Sequence, residues 1–464
     1  MAQASAFDIL ADTDTPVSAW LKLKTLRPRY LLESVEQGQR VARFSFLGFG
    51  DVRLTRIEDG QLRDANGHTG AAPQTQDELL DALRGALEHA PALLPELPEI
   101  PFRGGLVGVA GYDVVRRFER LPDAPPPPSM PEAVYMATES LLVFDHLTRR
   151  VALLHAGDEA DRARLRTKVV DLLRGPLPVS AGAGGHVGEA GASLSRAEFC
   201  KRVAAAREHI AAGDIYQIVL SVCFSGKTDV QPFEVYRALR LLNPSPYMFF
   251  CDFDDLQVAG SSPEALVRLS GASASLRPIA GTLPRGDTEA EDALNAERLL
   301  ADPKERAEHV MLVDLARNDL GRVAAPGTVG VSPYMTIERY SHVMHIVSGV
   351  EGQLDEDKDA FDLFAAAFPA GTLVGAPKVR AMELIDGFEP VGRGLYAGTV
   401  GYFGQGGDMD QAITIRTLVF RDGEFSFQAG AGIVADSVPD KEYDEVLAKS
   451  AILRRALSLA GEGL

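Results

Sequence analysis

AITIRTLVFRDGEFSFQAG, residues 412–430, is the stretch that decides the fold class. Two runs rich in β-branched and aromatic residues, AITIRTLVF and EFSFQAG, flank Asp422-Gly423. That dipeptide accepts the positive φ angles of a tight two-residue hairpin, so the segment predicts paired antiparallel strands. Working outward, IYQIVLSVCFS (215–225), LQVAGSS (256–262), RVARFSFLGFG (40–50) and SLLVFDH (140–146) carry further strand signals. Helical periodicity marks DELLDALRGAL (77–87), SRAEFCKRVAAAREHIAAGD (195–214), a long stretch over roughly 288–317, a segment near Phe361 and the last residues of the chain. Strands grouped apart from long helices predict an α+β, layered arrangement and not an alternating βαβ one.

The chain has 464 residues, 46% hydrophobic and 24% charged, with a formal net charge of −18. That length predicts two lobes. No Lys/Arg run stands out, which argues against a nucleic-acid surface, since phosphate needs a positive face. A small anion can still bind an acidic chain where the site is locally positive or holds a metal. Cys200, Cys223 and Cys251 form no CxxC pair and are odd in number, as expected of buried thiols in a reducing cytoplasm. MAQASAFDILADTDTPVSAW lacks the basic start and apolar run of a signal peptide, and no stretch has the length to span a bilayer. The Gly/Ala-rich segment 175–193 reads as a flexible linker between an N-terminal region, 1–174, and a C-terminal catalytic region, 194–464. The prolines Pro125–Pro128 read as an exposed loop.

Several residues look chemical. Asp302-Pro303-Lys304-Glu305 fits a helix start, with Asp302 as cap and Glu305 explained by that role. Glu308 then shares a face with Met311, Leu312 and Leu315, where a carboxylate is costly unless paired or metal-bound. A solvated helix-edge glutamate is the plainer reading of the pattern alone. Ser437 and Asp440 suggest a capping-box start for the last helix, on which Glu442, Glu445 and Lys449 lie within about 60° of one another. Alone, those three read as a solvated pair at helical spacing. Two helices each offering carboxylates at i, i+3 could together hold a hard cation such as magnesium. PIAGTLPRG, PAGTLVGAP and QAGAGIV place glycines at strand ends, where backbone N–H groups can approach an anion, although tight turns are the commoner use. Gly226-Lys227-Thr228 mimics the end of a phosphate loop, but Ser221 stands where its first glycine belongs. Gly104–Gly108 does not match the dinucleotide fingerprint. His342 and His345 lie in an apolar strand-like run, which more often holds core histidines than catalysts.

Taken together, PIAGTLPRG, AEHVMLVDLARNDLGRV, ERYSHVMHIVSGV, FPAGTLVGAPKVRAMELID, YAGTVGYF, IRT and QAGAGIVADSVPDKEYDE resemble the chorismate-utilising enzymes, and within them the large-subunit family of the anthranilate synthases. LLES (31–34) and NPSPYMFF (243–250) extend the resemblance toward the N-terminus. It implies a two-lobed sandwich of antiparallel sheets flanked by helices, with the active site in the cleft. It also implies a reaction: an amine adds to C2 of chorismate as the C4 hydroxyl leaves, and pyruvate is then eliminated as the ring becomes aromatic.

By the same resemblance Glu308 and Glu445 are the Mg2+ ligands, with Glu305 and Glu442 nearby, and the ion holds the ring carboxylate. Gly281 and Thr282 contact substrate, as do Gly430, Ala431 and Gly432 through backbone N–H groups. Tyr396 and Arg416 grip the enolpyruvyl carboxylate, for which the arginine fork is suited, and Lys449 adds positive charge. Glu264 is the general acid for the departing hydroxyl, a role that asks for a raised pKa. His345 belongs to pyruvate elimination, and Thr372 positions substrate. Water-adding relatives carry a lysine where Gln217 stands, and aminodeoxychorismate-forming relatives carry one where Ala280 stands. Ser34, Pro246, Tyr247 and Met248 correspond to a tryptophan-feedback site, although NPSPY is turn chemistry in any protein. The chain has no cysteine context of a glutaminase, so ammonia is expected from a separate glutamine amidotransferase subunit in a hetero-oligomer, a heterotetramer. The alternatives are aminodeoxychorismate formation, opposed by Ala280; salicylate or isochorismate formation, opposed by Gln217; and a non-catalytic tryptophan-binding paralogue, opposed by the intact set Glu264, Glu308, His345, Arg416 and Glu445.

Overall fold

The computed structural model describes residues 6–34, 43–122, 130–178, 182–339 and 343–464. His342 and the prolines 125–128 lie outside the described residues. Among those described, the strands form one 21-stranded sheet and one three-stranded sheet. Every pairing between named strands is antiparallel.

The centre of the large sheet is a pair of long strands, Phe44–Glu58 and Ala133–Asp145, paired from Phe44↔Asp145 to Ile57↔Ala133 with one shift of register between Phe49 and Val52. Each changes partner along its outer edge, so the sheet branches. Phe44–Glu58 takes Pro28–Glu33 at one end, and Ala133–Asp145 takes Gly105–Ala110 at its other. One arm runs from Pro28–Glu33 through Tyr247–Asp252, Leu256–Ser262, Thr417–Arg421 and Glu424–Ile433 to Gln217–Lys227. The other runs from Gly105–Ala110 through Thr399–Gly404, Met409–Ile413, Ala265–Ser270 and Ser273–Leu276 to Val350–Gln353. Side chains of both arms meet in one core, including Tyr30, Phe249 and Val419 from the first and Val107, Val400 and Ala412 from the second. A larger core on the outer faces takes the helices, with Phe199, Val446 and Leu453 buried against the sheet. The hairpin at Asp422-Gly423 forms with φ of 53° and 75°, the two left-handed angles its residue types allow.

Three expectations change. The helical stretch over 288–317 is two helices, Glu289–Ala301 and Pro303–Gly321. Pro303 cannot donate within a continuing helix, and Asp302 instead caps the second one by accepting from Lys304 N and Glu305 N. The last helix, Pro439–Glu462, starts without a capping box. Ser437 Oγ is used by Val434 N–H, inside the preceding turn. The segment read as a flexible linker is tied down over its described residues: Gly185 N–H donates to Gly461 O, Leu464 N–H to Gly182 O, and Gly191–Ala192 pairs with Ser225–Phe224. Its lack of bulk is what allows this. A Cβ at Gly182 or Gly184 would lie within 2.3 Å of a carbonyl oxygen of the last helix's end. Strands from either side of that segment also share the sheet, Pro28–Glu33 with Tyr247–Asp252 and Gly105–Ala110 with Thr399–Gly404. Among the described residues no helix is long and apolar enough to cross a membrane.

Candidate active site

The chain crosses between the two arms twice, side by side. It passes from Leu256–Ser262 to Ala265–Ser270 through Pro263-Glu264, and from Met409–Ile413 to Thr417–Arg421 through Thr414–Arg416. Ile413 N–H donates to Glu264 O at 3.0 Å and Ser261 N–H to Arg416 O at 3.1 Å, which locks the crossings together. Arg416 turns there with φ 49°. Glu264 and Arg416 are thus delivered to one place by topology, not by sequence spacing.

The Glu264 carboxyl is half-buried, and that burial pushes its pKa up to about 7 despite the opposing pull of Thr372, Arg416 and Lys449. Thr372 Oγ1 donates to Glu264 Oε1 at 3.1 Å. Thr372 lies in the short turn Gly371–Leu373, which sits on the acid-bearing helix: a Cβ at Gly371 would collide with Leu315. Glu264, Thr372, Leu312 and Leu315 line one small cavity of about 50 Å³. Burial lowers the pKa of Arg416, and Glu264 offsets this only in part. No carboxylate stands within salt-bridge distance of the Arg416 guanidinium among the described residues.

His345 faces the same region. Its Nδ1 lies 2.9 Å from Gly281 O and 3.1 Å from Thr282 Oγ1, and burial lowers its pKa, with Arg416 adding to the fall. Gly281 has φ 65° and carries the Glu305 carboxylate against its Cα, where a Cβ would lie 3.0 Å from Glu305 Oε2. The strand Ile279–Pro284 thus joins His345 to the acid-bearing helix. Glu308 is half-buried on the face of that helix with Met311, Leu312 and Leu315, as its spacing predicts.

The second pair of carboxylates approaches from the last helix. Lys304 Nζ bonds Asp436 at 3.0 Å, tying the start of helix Pro303–Gly321 to the turn before helix Pro439–Glu462. The same ammonium acts on Glu305, Glu308 and Glu442. Burial and a like-charged neighbour raise the pKa of Glu305 (beside Glu308) and of Glu442 (beside Glu445). Glu445 is bonded to Lys449 at 2.7 Å, and Lys449 Nζ also donates to Gly430 O at 3.1 Å. Among the described residues no group of three or more His, Cys, Asp or Glu side chains stands where it could hold a metal ion. The set is two carboxylate pairs, all oxygen donors, whose mutual repulsion a hard cation would relieve.

The wall opposite is the strand Glu424–Ile433. Val219 N–H donates to Val374 O and Ser221 N–H to Glu389 Oε1, so both turn away from their partners Gly432 and Gly430. Alternation in an antiparallel ladder then puts the N–H groups of Gly430 and Gly432 on the free edge, while Ala431 faces Leu220. Only the two glycines therefore offer N–H groups to a ligand. The Tyr396 hydroxyl rests over Gly430, where a Cβ would be 2.7 Å away, and burial raises its pKa. Gln217 Nε2 lies beside the Cα of Gly432, and Ala280 is buried opposite Ile346.

A profile for chorismate-binding enzymes matches residues 27–455. The chain belongs to the chorismate-binding enzyme family. It is 47% identical over 461 residues to an anthranilate synthase component 1 of Thermus thermophilus, with 98% of both chains covered. Another, from Acetivibrio thermocellus, is 42% identical, covering 98% of this chain and 95% of its own. The crystal structure of anthranilate synthase component I from Streptococcus pneumoniae superposes with a TM-score of 0.80 at 36% identity, over 90% of this chain and 94% of that one. The menaquinone-specific isochorismate synthase of Escherichia coli shares the fold, with a TM-score of 0.71 at 20% identity over 97% of this chain and 92% of its own. The family match extends across both arms of the sheet, consistent with their shared core.

Ser34, Pro246, Tyr247 and Met248 stand elsewhere, lining a separate cavity of about 560 Å³ with Arg268 and Asp410. Ser34 Oγ is buried with no hydrogen-bond partner among the described residues. Tyr247 donates to Asp410 Oδ1 at 3.0 Å, and burial pushes Asp410 up to about 6. Pro263 and Ala412 line this cavity while their chain neighbours Glu264 and Ile413 line the small one, so a single layer of chain separates the two. A third cavity, about 650 Å³, is lined in part by Arg393, Tyr396 and Thr414. Asp410, Arg268 and the buried Glu389–Arg393 pair carry no mark in the sequence, because nothing in their local pattern foretells burial.

Proposed function

We propose that this chain converts chorismate and ammonia to anthranilate, pyruvate and water, as the large subunit of an anthranilate synthase. The observation that carries the reading is the company Glu264 keeps: a carboxyl held near pKa 7, oriented by Thr372, beside a guanidinium with no salt-bridge partner among the described residues. The near-full-length identity to proteins named anthranilate synthase component 1 supports the choice of reaction.

Arg416 suits a carboxylate, since its fork can bond two oxygens at once and its buried charge is offset only in part by Glu264. With Tyr396 it would hold the enolpyruvyl group. Gly430 and Gly432 present N–H groups to the same ligand. Ammonia bonds to C2 while the C4–oxygen bond breaks, and Glu264 gives its proton to the oxygen, which departs as water. The C3–oxygen bond then breaks, releasing pyruvate with one proton gained, as C2 loses its proton and the ring becomes aromatic. Burial lowers the pKa of His345, which favours the neutral ring that could take part in that proton movement. Gln217 cannot deprotonate water, which fits a nucleophile that needs no base.

Glu308 and Glu445 would hold a magnesium ion, with Glu305 and Glu442 beside it. When bound, the ion neutralises the ring carboxylate. Ammonia is expected from a glutamine amidotransferase subunit in a hetero-oligomer, which the name component 1 of the relatives supports. The 560 Å³ cavity is proposed to take tryptophan as a feedback inhibitor, with Ser34 Oγ, which has no hydrogen-bond partner among the described residues, available to bond it. Incubation with chorismate, magnesium and ammonium at alkaline pH should produce anthranilate fluorescence that disappears when ammonium is left out. Isochorismate, salicylate or aminodeoxychorismate as the product would overturn the reading.

A further inference from the structure

Glu389 and Arg393 form an ion pair with side chains only 3% and 1% exposed. Burying two charges is expensive, and apolar replacements of similar volume are often neutral or stabilising. The pair therefore calls for a geometric explanation. Arg393 donates through Nε and Nη2 to the two oxygens of Glu389, at 2.9 and 2.7 Å. Its remaining contacts reach out to backbone: Nη1 to Leu373 O and Nη2 to Val219 O, each at 2.8 Å. Glu389 Oε1 also accepts from Ser221 N and Oγ, at 2.9 and 2.7 Å. The guanidinium lies 5.6 Å from the Tyr396 ring centroid.

The contacts to Leu373, Val219, Ser221 and Tyr396 end at or beside the site, while the guanidinium also lies 4.9 Å from the Tyr112 ring centroid, outside it. Leu373 follows Thr372, the hydroxyl that orients Glu264. Val219 and Ser221 oppose Gly432 and Gly430 in the ladder. Tyr396 rests over Gly430. We propose that Arg393, held by Glu389, is a positioning residue that fixes the Thr372 turn, the Gly430–Gly432 edge and Tyr396 at set distances from one another. A lysine keeps the charge at this position but cannot span Leu373, Val219 and Glu389 together, because it offers a single point of attachment where the guanidinium offers a rigid fork.

This inference rests on the reading of the site as one for chorismate, so wild-type turnover is the first arm of the test. Arg393→Lys should fold, with a thermal midpoint within a few degrees of wild type, and should lose about 10²-fold in kcat, as a misplacement near 1 Å can cause. The Thr372 hydrogen bond favours the ionised form of Glu264, so loosening the turn should also move the limb of the pH–rate profile near 7 upward. Thr372→Val should produce the same displacement, and the double variant should displace it no further. A residue that served stability alone would lower the folded fraction without moving that limb. If Arg393→Lys does not fold, Glu389→Gln replaces it, with the same loss and the same direction of displacement expected. Wild-type kcat and an unmoved limb in the folded variant would overturn the proposal. Absence of anthranilate from the wild-type reaction would instead overturn the reading on which it rests.

Discussion

The Glu264 carboxyl accepts a hydrogen bond from Thr372 and has two cations within reach, all favouring its ionised form, and burial still outweighs them. Its pKa near 7 lies above the ordinary 4.5, so the folded protein prefers it protonated. The stability this contributes is complete below about 4.5 and is lost as pH rises through about 7. Glu264→Gln removes that loss. Thermal midpoints measured from pH 5 to pH 8 should therefore shift in favour of the variant as pH rises. With free ammonia held constant, the same substitution should lower kcat by about 10²–10⁴-fold and abolish the fall in rate above pH 7. A variant with wild-type kcat, or with an unchanged alkaline limb, would remove Glu264 from the role of acid. At this scale Arg416 was legible in the motif IRT and Glu264 in the family resemblance, but not the reason they work. Glu264 and Arg416 are 152 positions apart, and what joins them is two chain crossings whose hydrogen bonds no periodicity reveals.

The two acid-bearing helices show how far element-level signals reach. Asp302 caps Pro303–Gly321 as its sequence pattern states, and Asp302→Ala should cost about 1 kcal/mol in denaturant unfolding. The start of Pro439–Glu462 was less legible, because Ser437 finds a nearer donor in Val434 N–H than in the helix it precedes. The link between them is a tertiary fact: Lys304, at the start of one helix, pairs with Asp436 in the turn before the other. Glu308→Gln should abolish magnesium-dependent turnover while leaving the fold intact, since it removes a charge that acts against Glu305. Circular dichroism and the anthranilate assay at graded magnesium check this. Undiminished activity would dismiss Glu308 as a ligand. The glycine-rich segment before Arg196 misleads for a related reason: low side-chain bulk reads as mobility, whereas here it lets two backbones come close.

For the whole molecule, the antiparallel layered architecture could be read from the Asp422-Gly423 hairpin and the grouping of strands, but the branching of the sheet could not. Branching depends on the two long central strands each serving two partners along one edge. It also places the Ser34 cavity and the Glu264 cavity back to back, separated by residues 263–265 and 412–413. A ligand that binds only the folded state at a hundred times its Kd adds about 2.7 kcal/mol of stability. Tryptophan should accordingly raise the thermal midpoint, and Ser34→Arg, which fills the cavity, should remove that rise while retaining ammonia-dependent turnover. An equal rise in both proteins would place tryptophan elsewhere. The strand Pro28–Glu33 has one more consequence. It lies between Phe46–Phe49 and Met248–Cys251, so during ribosomal synthesis it waits, with half its backbone groups unsatisfied, until some two hundred further residues have emerged. Fragments divided near residue 190 would each carry raw sheet edges, and they should recover a native assembly only when produced together in the same cell.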